Sequence, residues 1–238
     1  MHIAEGYLPL PWAAFWWIVT LVILVIGIHQ LNKMVAKNRE ALPLLALSGA
    51  FIFVLSSLKL PSAVGGSSSH PTGTGLSSII FGPFITAVLA AIVLIFQALF
   101  IAHGGLTTFG ANCFSMGFFG PLLAWCCYKI LPKGKISIFI NVFISAFIAD
   151  LATYIMTSLQ LALAFGLKGG IETFIDQLTV FLGIFALTQV PLAFIEGIIV
   201  VIAVIFISLV KGDFLVKAGT FTEEQVKGIA EFSRGGKK

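Results

Sequence analysis

A histidine at position 2 puts three nitrogens within chelating reach: the α-amine of Met1, the peptide nitrogen of His2 and its imidazole Nδ1. Amine and peptide nitrogen close a five-membered ring on a cation, the imidazole adds a six-membered one, and the flat peptide keeps all three donors in one plane. That geometry suits Ni(II), Cu(II) or Co(II) rather than tetrahedral Zn(II) or oxygen-seeking Mg(II). Three nitrogens leave a planar set one ligand short. The best-placed further imidazole is His70, in the polar stretch from Gly65 to Gly75. Pro71 fixes the backbone beside it, and Ser69 and Thr72 are placed to hydrogen-bond its second nitrogen. Every donor must be neutral or lose a proton to bind. Binding is therefore expected to release more than one proton and to weaken as pH falls from about 8 to 6.

The elements that must position these groups lie in a membrane. The chain has 238 residues, 58% hydrophobic and 10% charged, with a mean hydropathy of +1.06, whereas soluble domains are about a quarter charged. Apolar runs of about 20 residues recur, each long enough to cross the hydrocarbon as a helix. The expected architecture is an all-α, polytopic helical bundle of about seven spans. Residues 1–210 form the membrane domain, with the metal-binding segment at 1–9, and 211–238 form a cytoplasmic tail. The net charge of +4 sits in short links and the tail. It reads as topology information and gives no nucleic-acid footprint.

Pro9 and Pro11 open the first span, 12–31, whose Trp12, Trp16 and Trp17 read as an interfacial belt. Lys33, Lys37 and Arg39 make 32–40 the densest basic link between spans, which places it in the cytoplasm and the N-terminus outside. A second span at 41–60 returns the chain to the outer face, so His2 and His70 share a side, while His29 lies near the cytoplasmic end. Further spans fall at 81–102, 106–131 and 136–165. The long run at 178–210 is broken into two at Gln189-Val190-Pro191. Under this count Lys129, Lys133 and Lys135 fall outside, in conflict with the basic link at 32–40.

Polar residues inside apolar runs, namely His103, Asn112, Asp150, Gln160, Gln189 and Glu196, read as helix-packing groups more readily than as functional ones. Cys113, Cys126 and Cys127 show no ligand spacing and read as small packing residues. The chain start lacks a basic region before its apolar run and carries Glu5, unlike a secretory signal, so Met1 is expected to persist in the mature chain.

Met1-His2-Ile3, Glu5-Gly6-Tyr7-Leu8-Pro9 and Ser69-His70-Pro71-Thr72-Gly73-Thr74-Gly75-Leu76 resemble the substrate-binding membrane subunit of cobalt/nickel energy-coupling factor transporters, the CbiM/NikM family. The likeness continues through Phe96-Gln97-Ala98-Leu99, Ala102-His103-Gly104-Gly105-Leu106-Thr107-Thr108, Gly110-Ala111-Asn112, Asp150 and Glu196-Gly197, up to about residue 210. The resemblance implies a roughly square-planar set of four nitrogens: the Met1 amine, the His2 amide and imidazole, and the His70 imidazole. Glu5, Ser69, Thr72, His103 and Asn112 are then supporting candidates. It implies seven helices, with the N-terminal segment folded into the bundle from outside. It also implies capture of Co(II) or Ni(II) as cargo for an ATP-driven importer of the cell membrane, feeding cobalamin biosynthesis if the metal is cobalt, with no permanent cofactor. The partners it implies are a transmembrane coupling subunit, a pair of ATP-binding-cassette ATPases and a small auxiliary membrane subunit. Nickel-specific relatives often carry a fused two-span extension; its absence before Lys238 favours cobalt.

The Gly-rich loop lacks the GxxxxGK-Ser/Thr pattern that cradles nucleotide phosphates, so ATP hydrolysis is expected in partners and the chain is expected not to be an enzyme. An intramembrane metalloenzyme is disfavoured further, since HExxH is absent and the four planar positions are filled by protein nitrogens. The alternative is a proton- or ion-coupled nickel/cobalt permease. It would need His and acid side chains clustered in the membrane, and His29, His70 and His103 stand apart in the sequence.

Overall fold

A computed structural model describes residues 1–61, 66–134 and 137–233. Residues 62–65 of the polar loop, residues 135–136, Lys135 among them, and the last five residues of the tail lie outside the described residues.

Helix α1 (Leu10–Lys37) starts behind Pro9 with Pro11 in its first turn, where a missing N–H costs nothing. It is followed by α2 (Ala41–Ser57), the short α3 (Thr74–Phe81) and α4 (Pro83–Phe100). Then come α5 (Phe109–Asn112), a π-helical segment (Cys113–Phe119) and α6 (Gly120–Ile130), which together make one apolar rod. The long pair α7 (Ser137–Gly166) and α8 (Ile171–Lys217) and the tail helix α9 (Glu223–Ser233) complete the order. Five helical stretches are long and apolar enough to cross a membrane, and α2 is a shorter apolar helix. Apolar side chains face outward along them, as Ile18, Val25, Leu99, Ile155 and Phe206 do. The chain is a multi-pass membrane protein.

The helices are joined at one end by a small antiparallel sheet that the reading as all-α did not include. Strand β1 (His2–Ile3) pairs with β3 (Ser67–Ser69), and β3 pairs with β2 (Leu60–Pro61), in the order β1-β3-β2. His2 lies opposite Ser68, and Leu60 opposite Ser69. Strands of two or three residues, one made entirely of serine, carry no alternating apolar signal.

Two expected boundaries change. Helix α8 runs straight through Pro191 and departs from helical dihedrals only at Lys211, so 178–210 is not two crossings. Pro191 is exposed on the outer side of the helix, where its ring leaves the packed face undisturbed and only one turn loses a hydrogen bond. Conversely, a segment the hydropathy pattern passed over runs through the protein. Buried loop residues 69–73 lead into α3, whose residues Thr74 to Ile80 are all buried. Gly82 (φ 83°) and Pro83 then turn the chain into α4. Non-helical backbone is tolerated at such depth only when protein surrounds and satisfies it.

These changes fix which ends lie together. The end of α4 meets the end of α2, where Gln97 Nε2 donates to Ser56 Oγ at 2.7 Å, and the chain then arrives at His103 beside the sheet. At the opposite end, Lys217 of α8 pairs with Glu40 at 3.7 Å, and Gln225 Nε2 donates to the Lys133 carbonyl at 2.6 Å. Lys37, Lys129 and Lys133 therefore share that end with the 32–40 link, and the conflict in the sequence count disappears. Residues of the tail pack on the main core through Leu215, Phe221 and Ile229. Of the three tryptophans read as a belt, Trp16 is buried against Phe114 at 4.9 Å, and Trp17 Nε1 donates to the Leu106 carbonyl at 3.1 Å.

Candidate metal centre

Chain starts normally fray, but Met1, His2 and Ile3 are fully buried here. Asn112, at the end of α5, accepts from the Ile3 N–H at 2.7 Å and donates to the Ile3 carbonyl at 2.9 Å. Thr108 Oγ1 donates to the same carbonyl at 2.9 Å. Beyond the strand, the Ala4 N–H donates to the Gly66 carbonyl at 2.8 Å, and the Gly6 N–H donates to Thr107 Oγ1 at 2.9 Å. The exposed Glu5 carboxylate accepts from the Thr107 N–H at 3.2 Å. Gly105 lies directly beneath Glu5, where any side chain would strike the Glu5 backbone. Glu5 and Asn112 thus support the N-terminal strand, not an imidazole.

His70 is fully buried at the mouth of the loop that leads into α3. Its Nδ1 lies 2.8 Å from the Pro71 carbonyl. A carbonyl can only accept, so Nδ1 carries the proton and Nε2 keeps its lone pair, with no hydrogen-bond partner. Ser69 and Thr72, expected on that second nitrogen, go elsewhere: the Ser69 hydroxyl meets Thr188 Oγ1 at 2.7 Å, and Thr72 faces α8. There Glu196 accepts from the Thr72 N–H, from Thr72 Oγ1 at 2.8 Å and from the Gly73 N–H at 2.8 Å. One helical stretch earlier, Gln189 Nε2 donates both to the His70 carbonyl at 2.9 Å and to Asp150 Oδ1 of α7 at 2.6 Å. The loop read by default as a linker is held by buried side chains of two long helices.

The packing reading of Gln189 and Glu196 missed this grip. A usable signal was present: the two residues are seven apart in one helix, two turns along a single face, so a single partner segment can meet both. Asp150 Oδ2 has no hydrogen-bond partner.

His103 also changes role. Its ring centroid lies 4.4 Å from that of His2 and 4.9 Å from that of His70, while the His2 and His70 rings stack at 4.3 Å. One ring nitrogen from each of the three histidines lies within 4.8 Å of the others. Far apart in sequence and read as isolated, His70 and His103 meet in the fold. His103 Nε2 bonds Ser68 Oγ at 2.8 Å. That leaves four ring nitrogens without partners: both of His2, Nε2 of His70 and Nδ1 of His103. His29, by contrast, is exposed on α1.

Burial sets the protonation of this cluster. Loss of water pulls the Met1 amine from 8.0 down to about 5, partly offset by the charges of Asp150 and Glu196. It pulls His103 down to about 4, and His2 well below the usual imidazole range, with mutual repulsion among the cluster adding to the effect. Neutral nitrogens facing each other in a dry site form a set of donors for a borderline-soft cation.

A family described as "Cobalt uptake substrate-specific transmembrane region", CbiM, matches residues 2–214. The chain belongs to the CbiM family. A CbiM relative from Methanosarcina barkeri (strain Fusaro / DSM 804) is 50% identical over 232 residues, 97% of this chain and 99% of the relative. The "Cobalt transport protein CbiM" of Nostoc sp. (strain PCC 7120) is 54% identical over 206 residues, 85% of this chain and 76% of the relative. Among solved structures, one titled "Crystal Structure of an transition metal transporter" superposes with a TM-score of 0.70 at 26% identity. That match covers 88% of this chain and 93% of the other. These CbiM relatives are named as cobalt transport proteins.

Proposed function

We propose that this CbiM-family chain is the metal-capture membrane component of a Co(II) importer. It takes the cation through four nitrogens: the Met1 amine, the His2 peptide nitrogen and Nδ1, and His70 Nε2. The observation that carries the reading is the buried chain start, whose His2 ring has two unpartnered nitrogens and faces the free Nε2 of His70. Asn112 and Thr108 fix the strand, and Gln189 and Glu196 fix the loop, so little ordering remains when the metal arrives. Cobalt is chosen over nickel because the matched family and the Nostoc relative are named for cobalt.

In this reading the chain crosses the membrane seven times, with loop 69–73 and α3 together making the third crossing. The sheet end faces outward, and the end carrying Lys37, Lys129, Lys133 and Lys217 faces the cytoplasm along with the tail from 211. Energy comes from partners: a transmembrane coupling subunit, a pair of ATP-binding-cassette ATPases and a small auxiliary membrane subunit. Cobalt uptake into cells or proteoliposomes containing all the subunits, with and without ATP, tests the assignment. Uptake that needs ATP and stops with His70→Ala supports it.

One observation favours a second reading, the proton- or ion-coupled permease. The fold gathers His2, His70 and His103, and Gln189 ties the His70 carbonyl to a buried Asp150 with one unpartnered oxygen. Cobalt uptake by this chain alone, driven by a pH gradient without ATP, would select that reading.

A further inference from the structure

We propose that His103 is an axial fifth ligand, through Nδ1, and that it sets the preference of the site for Co(II) over Ni(II). The inference rests on the nitrogen-chelate reading above and adds to it a donor outside the plane.

Three features of the loop at 101–108 carry it. First, His103 Nδ1 is buried and without a partner, while Nε2 is bonded to Ser68 Oγ at 2.8 Å. A ring fixed through one nitrogen presents the other to a metal. Second, the ring stands across the other two. Its plane is turned 61° from that of His2 and 82° from that of His70, whereas His2 and His70 differ by only 30°. In a chelate through the His2 peptide nitrogen and Nδ1, the His2 ring lies near the ligand plane, and an axial imidazole, whose own plane contains the axis, must stand steeply to it, as His103 does. Third, the backbone is strained to put the ring there. Ala102 has φ 47°, the only non-glycine residue with positive φ among the described residues, and Gly104 follows with φ 76°. Left-handed alanine brings its Cβ against the neighbouring backbone and is disfavoured for that reason. The His103 N–H in turn is held by the Gln97 carbonyl at 3.1 Å.

The chemistry of the two cations gives the fifth donor its consequence. In a planar field of strong nitrogen donors, low-spin Ni(II) is d8 and fills the orbital that points along the axis, so an axial imidazole meets an electron pair. Low-spin Co(II) is d7 and has a single electron there, so it accepts one axial donor. Affinity order alone places nickel above cobalt at a nitrogen site. An imidazole fixed on the axis works against that order, adding a bond that cobalt uses and planar nickel does not.

Electron paramagnetic resonance of the purified, untagged protein loaded anaerobically with Co(II) reads the axial position directly. One axial 14N splits each parallel cobalt line into three. Protein labelled with 15N-histidine is expected to show two lines in place of three, with no residue altered. In His103→Ala the splitting should vanish while cobalt remains bound, and added imidazole should restore it. The Co(II):Ni(II) affinity ratio should fall by about tenfold or more, the scale of loss typical when metal-site support is removed. A low-spin spectrum without axial nitrogen splitting would overturn the assignment of His103 and leave the planar set standing. So would an equal loss of both metals in His103→Ala. A high-spin spectrum from the unaltered protein would overturn the planar set itself, and the axial ligand with it.

Discussion

Asn112 grips the peptide groups of Ile3 from both directions, accepting the N–H at 2.7 Å and donating to the carbonyl at 2.9 Å across 109 positions of sequence. The pair acts as one more strand partner for β1, supplied by a side chain at the head of the π-helical segment. Such segments inside helices are frequent at functional sites. The grip converts a chain terminus, ordinarily the least ordered part of a protein, into a fixed wall of the candidate metal centre.

Asn112→Ala removes both bonds; Thr108 still donates to the Ile3 carbonyl, but the buried Ile3 N–H is left unpaired, a local cost of about 1–3 kcal/mol. The binding-competent arrangement then becomes a fraction of the population, and apparent affinity drops by that fraction. Cobalt titration should show a fall of about tenfold or more, and hydrogen exchange should show the amide of Ile3 newly unprotected. Asn112→Asp keeps the acceptor and loses the donor, so it should fall between the two. Unchanged affinity in Asn112→Ala would mean that the sheet alone holds the strand.

Glu196→Gln puts an NH2 group where the carboxylate accepts from the Thr72 N–H, the Thr72 hydroxyl and the Gly73 N–H. At least one donor then faces a donor, at a cost of about 1–3 kcal/mol. Cobalt affinity should fall although the residue is no ligand. Gln189→Ala, which frees the His70 carbonyl, should act in the same direction. An equal loss in His29→Ala, on the exposed face of α1, would show a general effect of mutation and not a loosened loop.

Acid should destabilise the metal-free protein. The Met1 amine falls from 8.0 to about 5 on folding and His103 from 6.5 to about 4, because burial disfavours their charged forms. Within those windows the unfolded chain holds protons that the folded chain does not. Stability therefore rises with pH there, and it declines as pH drops from about 8 toward 4. Thermal unfolding in detergent at several pH values should show the midpoint falling across that range, and a flat profile would contradict the burial of the amine.

The same shifts alter the proton count expected from sequence. With amine and imidazoles already neutral at pH 7, only the His2 peptide proton remains to be released. Binding should then change by about tenfold per pH unit near neutrality, the slope for one proton, and steepen only below about pH 5. Isothermal titration in buffers of different ionisation enthalpy counts the protons; two or more at pH 7 would show the sequence expectation to be the better one.

The residues that the fold gathers at the candidate site were partly legible in the sequence, because the chelating pattern of Met1-His2 is local and His70 stands in a polar stretch between apolar runs. The rest was hidden for physical reasons. Window hydropathy cannot register a passage made by a satisfied polar loop and an eight-residue helix, so the run through 69–81 went unseen. Pro191 suggested a break that an outward-facing ring does not require. Together these differences bring Lys129 and Lys133 to the same end of the bundle as the 32–40 link, from which the sequence count had separated them. His103 was read as packing because its neighbours come from 33 and 101 positions away, a distance no spacing rule covers.

The first residue of the chain is assigned to the metal, and N-terminal acetylation tests that assignment most directly. An acetylated amine has lost the lone pair it would give to the metal, while every residue of the chain is kept. Equilibrium Co(II) binding to the purified, untagged and N-terminally acetylated protein should lose its high-affinity phase while the helical circular-dichroism signal is retained. Unchanged Co(II) affinity in the acetylated protein would contradict the account.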